Sequence, residues 1–575
     1  MQPGGTGVVL AGTGDPNDVL DSYYGAGILR STDGGNTWSL IQTTPDLQYA
    51  FVGEGFAGFA WSTTNPQEVV AAVSQAWEGV LVGADFPNRS YEGLYYSADS
   101  GATWSLARIT DPNGQDVQGP LDAFTQPDGN AATSVVWNSL RGVFIAAVRF
   151  HGYYQSADGI QWARLSAQPG SSLTTAFCPT RPTTTGSPAC PMYRGTLAVN
   201  PITGDTFAWT VDLYDQDQGL WQDACAASGN ACTNSAIAFA KQWDTSALET
   251  NSPLGSATIQ NSNYDLVLAA IPSGQDTILL AGANDLWKCS LAMGCVWRDT
   301  TNATTCMSAG VAEYQHALEW NGNNPQELFM GNDSGLWRSS DGIAETGPVC
   351  SSGDASHFQN LNGGLGSLAE VESMSAVGVS PYTIMLGLGA NGTAGVKSTG
   401  RPTAVWPEIL SGEGGPVAID PTNPSNWYVN DGAGVSIHLC SQAGACTPGD
   451  FGTSPVVSST NVGEDGLTMT SPASFLVDPV DSSQLLIGTC RLWRGPANGI
   501  GWSAANAVAP MFDGNQNSSY CNGNALIRSM AAMALPGGGE VVYVGAYGSL
   551  DGGGTSPGHV LSTTHEFERR LVSVG

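Results

Sequence analysis

Positive charge is what this chain has least of: 19 Lys and Arg stand against 50 Asp and Glu in 575 residues, a formal net charge of −31 at pH 7. A surface so acidic repels nucleic acid and anionic lipid headgroups, so neither is an expected partner. No apolar run is long enough to span a bilayer, so membrane insertion is not expected either. Also missing are a Gly-rich phosphate loop, a cluster of metal-binding histidines, a nucleophile elbow and any Cys-x-x-Cys pair. Nucleotide, zinc and serine-hydrolase chemistry therefore have no support. The start, Met1-Gln2-Pro3-Gly4-Gly5, is not a basic and apolar leader, and the expectation is that any signal peptide has been removed.

What is present points to many short strands. Gly is abundant at 74, Trp numbers 17, and only 12% of residues are charged, which suits tight turns and packed sheets better than long helices. Twelve cysteines fall into close neighbours: Cys178 with Cys190, Cys225 with Cys232, Cys289 with Cys295, Cys440 with Cys446, and Cys490 with Cys521. Cys306 and Cys350 remain for each other. An even count at such spacings argues for disulfides formed outside the reducing cytoplasm, hence a secreted or periplasmic protein, with the connectivity left open.

One stretch recurs. Leu29-Arg30-Ser31-Thr32-Asp33-Gly34-Gly35-Asn36-Thr37-Trp38 returns as Ser97-Ala98-Asp99-Ser100-Gly101-Ala102-Thr103-Trp104, and in shorter form as Ser156-Ala157-Asp158-Gly159-Ile160-Gln161-Trp162. Ser and Asp can take the N–H groups of a tight turn, the glycines allow positive φ, and the closing Trp can pack between sheets. Before each turn the pattern extends back into short apolar strands, most clearly at Ala317-Leu318-Glu319-Trp320, Glu327-Leu328-Phe329-Met330-Gly331 and Leu336-Trp337-Arg338-Ser339. About ten such units follow one another at a spacing of roughly 55 residues.

The Ser-x-Asp-x-Gly-x-x-Trp turn resembles the Asp box of bacterial-neuraminidase-repeat β-propellers. That group includes sialidases, sortilin, photosystem II assembly factors and the xyloglucanases of glycoside hydrolase family 74. The resemblance implies an all-β propeller of about ten four-stranded blades, arranged as two packed propellers or as one ten-bladed ring. The division adopted is residues 1–300 for blades one to five and 301–575 for blades six to ten, with one continuous ring as the alternative. In the fifth and eighth units the pairs Cys289/Cys295 and Cys440/Cys446 occupy the place of the turn, so a disulfide there takes over its restraint. The first unit lacks a leading strand, and Arg570-Leu571-Val572-Ser573-Val574 is expected to supply it.

In such blades the Asp box joins the third and fourth strands on one face. The loops after the second strand, and those leading into the first, therefore open on the other face. There the chain gathers acids and aromatics: Asp15; Trp77, Asp85 and Tyr91; Asp217; Tyr314 and His316; Asp333; and Glu413. Aromatic rings stack on pyranose faces, and paired carboxylates can act as general acid and as base or nucleophile, so a polysaccharide or oligosaccharide is the expected partner.

In family 74 a catalytic Asp ends a second strand, and Gly331-Asn332-Asp333-Ser334-Gly335-Leu336-Trp337-Arg338 looks similar, without the family's doubled glycine. The catalytic candidates are accordingly Asp333, then Asp15 and Glu413; the substrate-binding candidates are Trp77, Asp85, Tyr91, Tyr314, His316 and Asp217. No metal or cofactor is assigned, except that Asp212, Asp215 and Asp217 could share a structural calcium. A sialidase needs three clustered arginines and an Arg-Ile-Pro; the sequence has no such tripeptide, and Arg149, Arg491 and Arg528 lie in distant units. The expected function is a secreted, endo-acting glycoside hydrolase of the family 74 kind, with a noncatalytic extracellular propeller for glycan or peptide as the alternative.

Overall fold

The computed structural model describes all residues except 18–23, 76–91, 111–130, 171–172, 174–191, 226–235, 250–256, 303–305, 307–308, 312, 345–349, 352, 363–370, 379–381, 390–391, 399–405, 411–413, 431, 433, 463–471, 510–524, 537–538, 549–558, 564–570 and 574–575. Trp77, Asp85, Tyr91 and Glu413 thus lie outside the described residues, as do Cys178, Cys190, Cys232 and Cys521.

The protein is an all-β propeller whose described residues form ten sheets met in chain order, antiparallel except for one edge strand of the third. A typical sheet is the fourth, Arg194–Val199, Thr206–Val211, Asp217–Asp223 and Lys241–Trp243, each strand pairing with the next. Two compact units divide the chain, Met1–Gly364 and Leu365–Gly575. The sixth sheet, Gln315–Asn321, Asn324–Asn332, Gly335–Ser339 and Gln359–Asn360, belongs to the first unit.

Within each unit the first strand of one sheet neighbours the first strand of the next, which is the radial order of propeller blades. The core follows from that order, because every large apolar cluster lies between two consecutive sheets. Strand Val143–Val148 shows how: it is buried at every position, with Phe144, Ala146 and Val148 packed toward the second sheet and Val143, Ile145 and Ala147 toward the fourth. A strand with a neighbour on both faces reads as an unbroken apolar run instead of an alternating one.

The recurring turn is built as its residues dictate. Ser97 Oγ donates to Asp99 Oδ1 at 2.7 Å and accepts from Gly101 N–H, while Asp99 accepts from the N–H and hydroxyl of Thr103. Trp104 Nε1 then donates to Gly101 O at 3.1 Å. The same bonds recur around Asp33 and, one residue shorter, around Asp158. A fourth copy holds Asp341, which accepts from Ser339 Oγ and lies 2.8 Å from His357 Nδ1.

Disulfides join Cys289–Cys295 and Cys440–Cys446 at the turns of the fifth and eighth sheets, and Cys306–Cys350 in the sixth unit. Among the described residues no helix is long and apolar enough to cross a membrane.

One expectation is corrected. The C-terminal strand, Leu571–Ser573, does not complete the first sheet; it pairs with His559–Thr563 as the outer strand of the tenth. Pairing with a strand just upstream closes a short loop and costs less chain entropy than spanning the whole sequence. Among the described residues the first sheet has three strands, Val9–Gly12, Ile28–Ser31 and Ser39–Ile41.

Candidate active site at the centre of the first unit

Residues from the first, fourth, fifth and sixth sheets meet in one place, which radial sheets allow only near their common axis. Asp15 follows the strand Val9–Gly12. Arg194 begins the first strand of the fourth sheet, Tyr264 and Asp265 precede the first strand of the fifth, Val267–Ser273, and His316 and Asp333 lie at the same end of the sixth. Antiparallel order puts all of these at the end of each sheet opposite the Ser-x-Asp turns. A cavity of about 330 Å³ opens there, lined by Asp15, Pro16, Asn17, Phe56, Ala57, Arg194, Tyr264 and His316.

Close backbone approach seats the Asp15 loop. A Cβ on Gly55 would lie 2.4 Å from the carbonyl oxygen of Asp15, and one on Gly14 would lie 2.4 Å from the nitrogen of Gly25. Asp15 Oδ1 accepts the Asn17 N–H at 3.0 Å, and Asn17 Oδ1 in turn accepts from Arg194 Nη1. Tyr264 OH is 3.4 Å from Asp15 Oδ2. Burial pushes the Asp15 carboxyl up from its ordinary value, against the Asn17 N–H and the charges of Arg194 and His316, which pull it down. A carboxyl raised in this way and lining a cavity is suited to general-acid work.

His316 lies between two carboxyl groups. Its Nε2 is 2.5 Å from Asp333 Oδ1, its Nδ1 is 3.1 Å from Asp265 Oδ1, and the Tyr264 ring meets it edge-on at 5.2 Å. Asp265 is wholly buried, and burial, with the Asp333 charge second, raises it well above the usual carboxylate range.

Of the nine sequence candidates, the structure thus brings together Asp15, His316 and Asp333. Tyr314 lies two residues ahead of His316, with a left-handed φ of 69° and its N–H on Asn284 O, and does not line the cavity. Asp217 lines a different cavity, of about 510 Å³, with Gln242, Asp244 and Glu249; its carboxylate takes Trp209 Nε1, the Gly219 N–H and the Thr245 hydroxyl.

A calcium shared by Asp212, Asp215 and Asp217 is not what the geometry offers. Asp212 Oδ1 closes its own turn by accepting from the N–H groups of Tyr214 and Gln216, and Asp215 faces Ser262 and Asn263. Among the described residues no group of three acids, histidines or cysteines is placed to hold a metal.

Asp265, Arg194 and Tyr264 were missed in the sequence. The rule that loops leading into a first strand open on this face covers all three, but no motif marks them out.

No family model matches the chain. A xyloglucanase of Paenibacillus sp is 34% identical over 105 residues, which cover 16% of this chain and 9% of that protein, so the likeness spans a small part of its length. Among solved structures the chain resembles an ancestral GH74 enzyme at 14% identity with a TM-score of 0.36, covering 100% of this chain and 77% of the other. It also resembles YCF48 bound to a peptide, at 13% identity and a TM-score of 0.32, covering 68% and 97%.

Proposed function

We propose that this protein is an extracellular glycoside hydrolase that takes part of a polysaccharide into the cavity at the centre of its first unit. The observation that carries the reading is one cavity lined by the half-buried Asp15, whose carboxyl burial raises, and by His316, which bonds Asp333 through Nε2. Asp15 gives its proton to the glycosidic oxygen as that oxygen leaves the anomeric carbon. A water molecule bonds to the carbon and yields its proton to Asp333, which returns it to solvent while Asp15 is reprotonated. Phe56 and Tyr264 supply ring faces, and Asn17 and Arg194 supply donors for hydroxyl groups.

The partial likeness to a xyloglucanase makes xyloglucan the first polymer to try. The Ser-x-Asp turns fit the Asp-box group, and the disulfides fit an oxidising compartment.

Reducing-sugar release from xyloglucan and other β-glucans tests the reading. Asp15→Asn and Asp333→Asn should each lower turnover by about 100-fold or more, the usual scale for losing a general acid or base. Hydrolysis that survives both substitutions would sink this assignment. Glycan binding without turnover by the wild type would favour the noncatalytic propeller.

A further inference from the structure

The cavity of about 510 Å³ beside Asp217 has no part in the chemistry given to Asp15 and Asp333. Its walls are the start of the third strand of the fourth sheet, Asp217 to Gly219, the end of the fourth strand at Gln242 and Trp243, and the chain that follows as far as Glu249. In an antiparallel sheet the third strand begins where the fourth ends, so this cavity opens at the same end of the blade as the central one. A single ridge lies between the two. Asp217 N–H donates to Ala257 O at 2.8 Å, Ile259 N–H to Asp215 O at 2.9 Å, and Asn263 N–H to Asp215 Oδ1 at 2.8 Å. The next residue, Tyr264, already lines the central cavity. The ridge is a few residues across, on the order of 15 Å, so one chain of several sugar units can reach both.

The walls are held in place before any ligand arrives. Asp217 is fixed by its three donors, Asp244 Oδ1 accepts the Ser246 N–H at 3.0 Å, and Glu249 Oε2 accepts the Ala257 N–H at 3.0 Å. The Gln242 amide lies over Gly219, where a Cβ would come within 2.7 Å of its Nε2. A side chain at that position would push the amide out of the cavity.

The same walls select what can enter. Three carboxylates repel an anion. A metal ion has no set of ligands, since among the described residues no three acids are placed to share one. An organic cation is typically held on an aromatic face. Here Lys241 Nζ covers the Trp243 ring at 3.3 Å from its centroid, the indole Nε1 donates to Gln222, and the rest of the ring is buried in the core. Carboxylate oxygens and amides facing an open, water-filled space are left to meet a neutral ligand rich in hydroxyl groups.

We propose that this cavity is a second, noncatalytic site for a neutral sugar unit, held by Asp244, Glu249 and the Gln242 amide, on the same polymer whose other part enters the central cavity. The sharing of one chain rests on the hydrolase reading; the binding of a neutral sugar here does not.

Electrophoresis through gels containing xyloglucan or mixed-linkage β-glucan measures binding, with all proteins carrying Asp15→Asn so that the polymer is not consumed. Gln242→Ala removes an exposed amide, and Ser246→Trp fills the space from an exposed position. Each should weaken the apparent affinity about fivefold, the scale of a hydrogen bond or two lost. A parent protein that neither polymer retards, or retardation unchanged in both variants, overturns the site. Affinity for spermidine that these substitutions abolish would overturn its assignment to a neutral sugar. In proteins that keep Asp15, the same substitutions should raise KM for xyloglucan about fivefold and leave kcat within about twofold. An unchanged KM beside weakened retardation would overturn the shared chain. A protein that releases no sugar would remove the hydrolase reading, and the gels alone would then decide the site.

Discussion

Two tryptophans that close the same motif sit in different surroundings. Trp104 is 1% exposed and packs between the first and second sheets, whereas Trp38 is 43% exposed, although both donate Nε1–H to the third residue before them. Trp104→Ala should cost about 3–5 kcal/mol in urea unfolding, the range for a large buried aromatic, and Trp38→Ala less than half of that. Equal losses would mean that the turn bond, and not burial, is the contribution that matters.

The same asymmetry governs how legible the site is. Asp15, His316 and Asp333 could be picked out because polar residues at strand ends on the face away from the turns stand out against apolar strands. Asp265 could not, since Tyr264-Asp265-Leu266 reads as an ordinary strand beginning. Its place in the site comes from being shut in by residues some 50 to 250 positions away, and burial of that kind is written in no local pattern.

At the level of the element, repeats made the fold readable and irregularities made its details unreadable. A turn stamped along the chain, with short apolar strands before it, is enough to specify sheets in radial order. It does not specify where the edges go. Strand Arg108–Thr110 joins the third sheet in parallel beside Gln161–Arg164, and the C-terminal strand stays in the tenth sheet.

The fifth sheet shows a turn rebuilt from other parts. Cys289–Cys295 closes it, while Asp276, from the preceding hairpin, accepts from Ser290 Oγ at 2.5 Å and from the Ala292 N–H. Acid and serine are both still there, but the acid arrives from a different loop. Replacing both cysteines with serine should therefore cost about 2 kcal/mol, as expected for so short a loop, without loss of the sheet. Adding Asp276→Ala should destabilise the protein by more than the two effects measured separately. Urea midpoints of the three variants check this, and simple additivity would show that the acid and the disulfide restrain different things.

For the molecule as a whole, the buried acids set the pH at which it is most stable. Burial, helped by neighbouring acids, pushes Asp215 up to about 6 and Asp299 up to about 7. Glu540 is pushed up to about 7 by burial first and by Asp478 second, although Arg494 Nε lies 2.6 Å from Asp478 and 3.8 Å from Glu540. In the unfolded chain these groups lose their protons near pH 4. Between about pH 4 and 7 the folded protein therefore holds protons that the unfolded chain releases, and stability falls as pH rises through that window.

The turn acids work in the other direction. Asp33 is held down to about 2 by its bonds from Thr37 and Ser31. In Asp99 burial pulls upward, but the bonds from Thr103 and Ser97 together outweigh it and leave the carboxyl below its ordinary value. The contribution of these turn acids is therefore lost as pH falls from about 4 toward 2. A net charge of −31 adds self-repulsion at the alkaline end. The unfolding temperature should accordingly peak near about pH 4 to 5 and decline toward pH 8. Glu540→Gln, which cannot ionise, should flatten part of that decline and leave the acid side unchanged. A midpoint that climbs from about pH 5 to 8 would mean that the buried acids are ionised in the folded protein and paired by donors outside the described residues.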